Sequence, residues 1–355
     1  MAREVDLIAR LPASGATLSP PGASDARRSD ELPPWLSLAC AHRDTHASLS
    51  RYLRYLEPGL AHLGPEPVRL VVHIVGPAEI PEIESDMPTP TLRGPYRVAR
   101  RGDRLLYSLD RQGFLRLDLG ERTASIWTTA HHPRDLDLVA SLVSIAVLEM
   151  VSRRGLFGLH AAAVARDGIG YLLPGPSGSG KTSLCLVLVR DGFRYVTDDF
   201  VLLTAGAGDI RCFPFFRTFN LDVAWATRFP ELSFVQDLPP LPNGKRMFDP
   251  EQCYPGSRAA AFRPACLLFP TIVTRAESTL RPISQRDAFC RLLPQSRLSA
   301  DPGTAEAHVR ALGALARDSA AFELQHGRDF LDAPVETLRR LLDPLRPHPP
   351  APVPR

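Results

Sequence analysis

The sequence has very little lysine. Of its 42 basic residues only Lys181 and Lys245 are lysine, and the others are arginine. Together with the abundant Ala and Pro, this usage indicates a GC-rich genome, so a retained lysine marks a position where arginine would not serve. The net charge is also small, at +3 for 355 residues. A balance this close to neutral argues against a nucleic-acid-binding protein.

The sequence also lacks the patterns of zinc sites, secretion and membrane spans. Its six cysteines form no CxxC pair and no His/Cys cluster with zinc-site spacing, so we expect free thiols in a reduced, cytoplasmic setting. The first fifteen residues contain no apolar segment typical of a signal peptide. The most apolar helix-like stretch, 138–148, is shorter than the ~20 residues that span a bilayer. Neither a membrane nor a nucleic acid is an expected partner.

Composition and periodicity divide the chain into four predicted parts. Residues 1–34 are rich in Pro, Ser, Ala and Arg, which is typical of a mobile arm. Residues 35–134 form a predicted α+β region, with one or two helices at 35–63 and an antiparallel meander later. Residues 135–345 alternate strands and helices and are predicted to form an α/β domain. The tail 346–355 is Pro-rich; it can serve as a proline-motif ligand, although a solvated end is the simpler interpretation.

A glycine-rich loop in the α/β domain has the pattern of a phosphate-binding loop. Residues 175–182 read GPSGSGKT and fit G-x-x-x-x-G-K-[ST] at every fixed position, with an apolar strand before them and an apolar helix after them. Glycines allow successive N–H groups to converge on phosphate oxygens, and the helix adds its positive end. Lys181 would reach the β and γ phosphates, and Thr182 would bind Mg²⁺. The predicted nucleotide-binding residues are Gly175, Pro176, Ser177, Gly178, Ser179, Gly180, Lys181, Thr182 and Ser183.

Two consecutive carboxylates, Asp198 and Asp199, form an acidic pair after the next predicted strand, 193–197. A strand–helix–strand unit would place this strand beside the loop strand, with the carboxylates at the nucleotide-facing edge. One carboxylate can then hold Mg²⁺ while the other accepts a proton from an attacking hydroxyl. A solvated acidic turn is the alternative. His160 stands alone in the apolar segment LFGLHAAAV, and by itself it reads as a core histidine.

Taken together, His160, the segment GIGYLLPGPSGSGKTSL and the segment GFRYVTDDFVLL resemble the catalytic domain of the HPr kinase/phosphorylase family. The resemblance covers about 45 residues. It implies a P-loop kinase core like that of phosphoenolpyruvate carboxykinase, and ATP-dependent transfer to a serine hydroxyl. By position, it implies Asp198 as the base, with His160 beside it and Lys181 in the catalytic set. It also implies Asp199 and Thr182 as the residues that bind Mg²⁺.

The sequence departs from that family in two places. The signature GRGLGI does not follow the acidic pair, where CFPFFRTFNL and NGKRMFDP stand instead, and the N-terminal part does not resemble the family's first domain. The chain is more similar to divergent relatives in peptide-modification clusters, such as the lasso peptide kinases, which phosphorylate a serine of a precursor peptide. This resemblance implies a peptide or small-protein acceptor. Because HPr kinases form hexamers, a homo-oligomer is a further expectation.

Other residues have two interpretations each. Arg217, Lys245 and Arg246 can stabilise charge on a transferring phosphoryl group, or they are ordinary surface cations. Lys245 is the best of the three because lysine is scarce and Gly244 precedes it. A group of phenylalanines can form the floor of a pocket, although core packing is the preferred interpretation. This group consists of Phe213, Phe215, Phe216 and Phe219.

The sequence therefore predicts an ATP-dependent serine kinase that acts on a peptide or a small protein. The predicted cofactors are ATP, or another nucleoside triphosphate, and Mg²⁺. Two alternatives stay open. One is a regulator or scaffold that binds ATP without transferring its phosphate, and the other is a kinase of a small metabolite such as free serine.

Overall fold

A computed structural model describes most of the 355-residue chain and gives an α/β protein with mixed sheets, the class that the sequence predicted. The described residues are 32–56, 67–83, 91–93, 95–129, 136–204, 210–241 and 243–345. The predicted tail and all but three residues of the predicted N-terminal arm lie outside them, as does the predicted boundary at 134/135. In the described ranges, no helix combines the length and the apolar character needed to cross a bilayer.

The first sheet has seven strands in the described part of the chain. They are β1 Leu36–Cys40, β2 Val68–Ile74, β3 Thr91–Arg93, β4 Tyr96–Arg101, β5 Arg104–Leu109, β6 Gly113–Asp118 and β7 Thr123–Thr128. Their order is β1-β2-β7-β6-β5-β4-β3. Strands β4 to β7 pair antiparallel in sequence order, which confirms the predicted meander. The β4–β5 hairpin turns through Gly102, whose φ of +57° favours glycine.

The prediction of helices throughout 35–63 is wrong at its start. Residues Leu36–Cys40 form β1, which runs parallel to β2, and helix α1 spans Arg43–Leu53. The end of the predicted range, 57–63, lies outside the described residues. The apolar residues of β1 alternate along five positions, a run too short for periodicity to separate strand from helix. Pairing with β2, whose apolar face is buried, makes this segment a strand. Because β2 is distant in the sequence, the local pattern does not predict this pairing.

The second sheet contains the glycine-rich loop and the acidic pair. Its described strands are β8 Leu156–Arg166, β9 Ile169–Pro174, β10 Arg194–Thr197, β11 Phe200–Thr204, β12 Cys212–Pro214, β15 Pro264–Ile272, β16 Thr279–Pro282 and β17 Ala320–His326. The order is β12-β11-β8-β9-β15-β17-β16, and β10 also pairs with β8. A separate ribbon joins β13 Phe219–Leu221 to β14 Arg246–Phe248.

Helices cover both faces of the second sheet. The remaining helices are α2 Leu136–Ser152, α3 Lys181–Arg190, α4 Val223–Ala226, α5 Gln285–Leu292, α6 Pro302–Asp318, α7 Asp329–Asp332 and α8 Pro334–Leu342. Helices α3 and α8 pack in the core on one face, and α5 and α6 pack in the core on the other. Helix α2 shares a third core with the first sheet and α1. The alternation of strands and helices that the sequence predicts after residue 135 is present in the described residues from α2 to α8.

The predicted pairing of the acidic-pair strand with the loop strand is wrong. Strand β10 pairs antiparallel with β8, and β8 lies between β10 and β9. The cause is the tight hairpin that joins β8 to β9 through Asp167 and Gly168, both of which have positive φ. Since β15 occupies the other edge of β9, the loop strand has no edge left for β10.

Buried Glu149 of α2 joins the first sheet to the segment before α6. Its carboxylate accepts hydrogen bonds from the Tyr107 hydroxyl of the first sheet, from Ser299 Oγ at 2.6 Å and from the Ala300 amide at 2.9 Å. Three donors therefore depend on one side chain. A buried donor that loses its acceptor pays a desolvation penalty that water cannot relieve.

We expect Glu149→Gln to lower the free energy of unfolding by about 1–3 kcal/mol, since an amide cannot accept all three hydrogen bonds. Urea unfolding followed by circular dichroism measures this change. The matched control is Glu306→Gln on α6, whose carboxylate makes only an exposed ion pair with Arg310; it should change stability by less than ~0.5 kcal/mol. Equal stability of the two variants would contradict the linking role of Glu149.

Candidate active site

The glycine-rich loop connects β9 to the N-terminus of α3. Gly178 and Gly180 have φ values of +82° and +93°, a backbone region that disfavours other residues. At Gly175 the reason for glycine is space, because an added Cβ would lie 2.7 Å from Ser179 Oγ. The first amides of a helix have no partner within the helix and carry partial positive charge, so this loop and helix form an anion-binding geometry.

Lys181 is folded back onto the loop. Its Nζ donates hydrogen bonds to the carbonyl oxygens of Gly175 at 2.7 Å and Pro176 at 2.9 Å, and the residue is 6% exposed. Burial lowers the pKa of Lys181 to about 8, although the negative charges of the acidic pair oppose the shift and Lys245 adds to it. The buried ammonium thus donates its hydrogen bonds to neutral carbonyl groups. A bound anion would stabilise its charge more strongly.

Strand β8 brings the acidic pair and the loop to the same level of the sheet. On one side, Phe200, which directly follows the pair, is opposite His160. On the other side, Ala161 is opposite Pro174, the residue before the loop. His160 and Ala161, which are adjacent in β8, therefore face the acidic pair on one side and the start of the loop on the other. His160 lies beside the carboxylates.

Asp198 is an almost fully buried carboxylate. It is 2% exposed, its Oδ2 accepts the Asn220 N–H at 2.9 Å, and its Oδ1 has no hydrogen-bond partner among the described residues. Burial and the neighbouring charge of Asp199 raise the pKa of Asp198 to about 7, against the opposing effects of the Asn220 amide, Lys245 and Thr182. A carboxyl group with this pKa can accept or release a proton near neutral pH.

Asp199 has the opposite character. Burial acts to raise its pKa, but the hydrogen bond and charge of His160, with Lys181 and Lys245, hold the pKa below its usual value. The His160 Nε2 lies 3.2 Å from Asp199 Oδ1, and the imidazole stacks on Phe200 with a centroid distance of 5.4 Å. His160 is partly exposed to the cleft and contacts a carboxylate, so it is not an enclosed core histidine.

These groups open into one cleft with a volume of ≈ 1150 Å³. Most of the predicted loop residues line it, as do His160 and the acidic pair. The loop residues that do so are Ser177, Gly178, Gly180, Lys181, Thr182 and Ser183. Gly175, Pro176 and Ser179 are not part of the lining; Ser179 is buried, and its hydroxyl has no partner among the described residues.

Of the three other predicted basic residues, the described structure brings only Lys245 into the cleft lining. The charge of Lys245 acts on Lys181 and on both members of the acidic pair. The guanidinium of Arg246 instead donates to the Gly244 carbonyl at 2.8 Å. Arg217 is placed by its own amide, which donates to the Tyr55 carbonyl at 3.1 Å.

One wall of the cleft carries no sequence pattern. Arg51 and Tyr52 of α1 line it, together with Arg54 and Tyr55 directly after α1 and Arg297 from the segment before α6. The Arg297 guanidinium lies over the Phe200 ring at 5.9 Å. No motif marks these residues, and they approach the loop only through tertiary packing. The phenylalanine group packs in the core as preferred, although Phe215 and Phe216 also line the cleft.

The arrangement combines three chemical capacities. A helix N-terminus and Lys181 can bind an anion, Asp198 can exchange a proton near pH 7, and Asp199 stays ionised beside His160. Two neighbouring carboxyl groups whose pKa values are pushed apart are typical of sites that divide acid–base and electrostatic roles.

No protein-family model matches the chain, and a sequence comparison with curated proteins also gives no match. Among solved structures, the Hpr(Ser) kinase/phosphatase from Coxiella burnetii is similar over 52% of this chain and 93% of its own chain. The two share 13% sequence identity, with a TM-score of 0.28. A structural likeness of this extent establishes neither a shared fold nor a shared activity.

The pKa values of the acidic pair predict opposite stability effects. Asp198 releases its proton near pH 4 when unfolded and near pH 7 when folded, so its contribution to stability is lost as pH rises from 4 to 7. Asp198→Asn removes this loss, and its stability relative to wild type should increase by up to ~4 kcal/mol between pH 4 and pH 8. Urea unfolding at both pH values measures the change.

Asp199→Asn is the matched control. The folded pKa of Asp199 is lowered, so its charge stabilises the protein once pH exceeds the unfolded value near 4, and the variant should lose stability relative to wild type as pH rises from strongly acidic values to about 4. Asp198 stays protonated in the folded protein over this range. A gain of stability by Asp199→Asn over the same range would show that the assignment of a lowered pKa to Asp199 is wrong.

Proposed function

We propose that the protein is an ATP-dependent serine kinase that transfers the γ-phosphate to a peptide or small protein. Its core would be a P-loop core of the phosphoenolpyruvate carboxykinase-like type. The observation that carries the proposal is the juxtaposition, in one cleft, of the loop that holds Lys181 and a buried carboxyl group with a pKa near 7. A phosphate site alone is common to many proteins; a proton acceptor beside it supports transfer to a hydroxyl.

Phosphate binding would use groups that are already in position. The amides at the N-terminus of α3 would donate to phosphate oxygens, and Lys181 would exchange its bonds to the Gly175 and Pro176 carbonyls for bonds to the β and γ phosphates. A phosphate would restore the charged form of Lys181, which burial disfavours. Lys245 lines the same cleft and would be a second cation that binds the phosphates.

The oxygen atoms near Thr182 suit Mg²⁺. The described residues contain no group of three or more His, Cys, Asp or Glu that could hold a metal without help. Mg²⁺ is commonly held by one or two carboxylates and substrate phosphates, so the Thr182 hydroxyl and Asp199 would suffice. Asp199 is the member of the acidic pair whose pKa is held below its usual value, so its carboxylate stays ionised and fits a cation. When bound, the ion would neutralise phosphate charge.

In the transfer step, the serine oxygen would form a bond to the γ phosphorus while the bond from that phosphorus to the β–γ bridging oxygen breaks. ADP would leave with the electron pair of the broken bond. Asp198 would accept the hydroxyl proton, and the hydrogen bond from the Asn220 amide would keep its carboxylate oriented. His160 would hold Asp199 in place through the contact at 3.2 Å.

The acceptor is proposed to be a peptide because of the size of the cleft. A volume of ≈ 1150 Å³ exceeds the ~300–1,000 Å³ of most small-molecule pockets, which leaves room for a nucleotide and a chain segment. An ATP-binding regulator would share the loop but would gain nothing from a proton acceptor at the phosphates. A kinase of free serine would need only the inner part of the cleft.

Substitutions at Lys181 and Asp198 should separate binding from transfer. We expect Lys181→Ala to lose ~10²–10³-fold in turnover because a charge-stabilising group is removed. Asp198→Asn should still bind ATP, since the asparagine oxygen can accept the Asn220 amide, but should transfer ~10²–10⁴-fold more slowly. Transfer is measured with γ-labelled ATP on a serine-containing peptide library and, separately, on free serine.

The control is Arg310→Ala on the exposed face of α6, which should leave binding and transfer unchanged. Full activity of Asp198→Asn would exclude this residue as the base. ATP binding without label on any acceptor would favour the regulator, and label on free serine alone would favour the metabolite kinase.

Nucleotide affinity should depend on the charge of Lys181. Because the pKa of Lys181 is about 8 in the free protein, its ammonium is lost as pH rises, and the Kd for a fluorescent ATP analogue should increase about fivefold between pH 8 and pH 9. Lys181→Arg keeps its charge in this range, so the Kd of this variant should change little between pH 8 and pH 9, whatever its absolute affinity. A wild-type Kd that is constant from pH 7 to 9.5 would contradict this prediction.

A further inference from the structure

One wall of the cleft comes from α1, which packs with the first sheet and not with the strands that carry the loop. The C-terminal end of α1 is fixed to the segment after β12. Leu56 forms a bridge with Phe216, and the Tyr55 carbonyl accepts the Arg217 amide at 3.1 Å. This wall is therefore a built part of the cleft rather than a loosely placed helix.

A continuous series of aromatic rings connects the acidic pair to this wall. The rings of His160 and Phe200 lie 5.4 Å apart, and Phe200 lies 6.3 Å from Phe215. Phe215 is 4.8 Å from Phe216, which is 4.9 Å from Tyr52 of α1. All five residues line the cleft. They form a floor that starts beside the proposed base and ends at α1.

Four of the cations that line the cleft fall into two groups. Lys181 and Lys245 act on the acidic pair. Arg51 and Arg297 line the part formed by α1 and the Phe200 ring, and neither has a carboxylate within ion-pair distance in the described ranges. The guanidinium of Arg51 donates to Ser48 Oγ at 3.3 Å, and that of Arg297 lies over an aromatic face. Both retain donors for an anionic partner.

We infer that this wall is the acceptor subsite and that it selects an acidic segment. The inference rests on the proposed kinase function. The phosphates of a nucleotide are accounted for by the loop, and a nucleobase carries no negative charge, so the acceptor is the ligand left to pair with Arg51 and Arg297. Arginine binds carboxylates through two parallel N–H donors. The acceptor serine is therefore flanked by Asp or Glu, with an apolar side on the aromatic floor.

Binding of labelled peptides tests the subsite without requiring turnover. Three peptides carry one serine in the same apolar context, flanked by Glu, Gln or Lys, and their Kd values are measured by fluorescence anisotropy. We expect the Glu-flanked peptide to bind at least fivefold more tightly than the Gln-flanked one, with a preference that decreases at high salt. Equal binding of the three peptides would overturn the inference.

Charge reversal assigns the preference to the two arginines. Arg51→Glu and Arg297→Glu should each reduce the preference for Glu-flanked peptide about five- to tenfold and improve binding of the Lys-flanked peptide. Arg51→Gln and Arg297→Gln should give smaller changes in the same direction and guard against misfolding. The matched control is Arg43→Glu, the same charge change at an exposed position of α1 outside the cleft lining, which should leave the preference unchanged.

Kinetics separate this inference from the proposed function. With ATP present, Arg51→Glu should raise KM for the Glu-flanked peptide and leave KM for ATP unchanged. A rise in KM for ATP instead would assign the wall to the nucleotide and overturn the inference. Selective binding of the Glu-flanked peptide without transfer of label would contradict the kinase proposal while the acidic subsite stands.

Discussion

The pairing of one strand, β8, controls the geometry of the whole site. Its one edge binds β9, which leads into the loop, and its other edge binds β10 and β11, which flank the acidic pair. A shift of register by one residue would turn His160 to the opposite face and away from Asp199. The strand is buried on both faces, and its central residues, Ala161, Ala162 and Ala163, are small. Close packing on both sides therefore resists such a shift, and the loop, the acidic pair and His160 stay at one level.

Within that geometry, burial brings the proton affinities of two groups close together. The pKa of Lys181 falls to about 8 and that of Asp198 rises to about 7. The two do not pair directly; Lys181 donates to carbonyls of the loop, and one oxygen of Asp198 has no partner among the described residues. Such an arrangement lowers stability and is retained where function needs it. If the cleft binds a polyphosphate and a hydroxyl acceptor as proposed, the phosphate would pair with Lys181 and the hydroxyl would donate to Asp198.

The sequence predicts the parts of this site that depend on neighbouring residues, and it does not predict the parts that depend on contacts between distant segments. The loop, α3 and the acidic pair were predictable because glycine positions, a lysine and helical periodicity lie within some 25 residues. The strand that pairs with β10 was not predictable. The β8–β9 hairpin places β8 on one edge of β9, so β10 pairs with β8 instead, and this is visible only in the complete sheet. Residues Leu36–Cys40 were read as helical because their partner strand is distant in sequence. Arg51 and Arg297 were missed for the same reason, and the predicted division into domains stays a prediction.

The separation of lysine and arginine within the cleft has a physical basis. An ammonium can lose its proton when burial is unfavourable, as the lowered pKa of Lys181 indicates, whereas a guanidinium stays charged at any physiological pH. If the loop binds phosphate as proposed, lysine would make this site sensitive to its own occupancy, because a bound phosphate would restore the charge. Arginine on the wall of α1 keeps a constant positive charge, which suits recognition of a flexible acidic segment. If the wall binds the acceptor, changes of pH near 8 should alter nucleotide binding much more than acceptor binding, since Lys181 titrates there and the arginines of the wall do not.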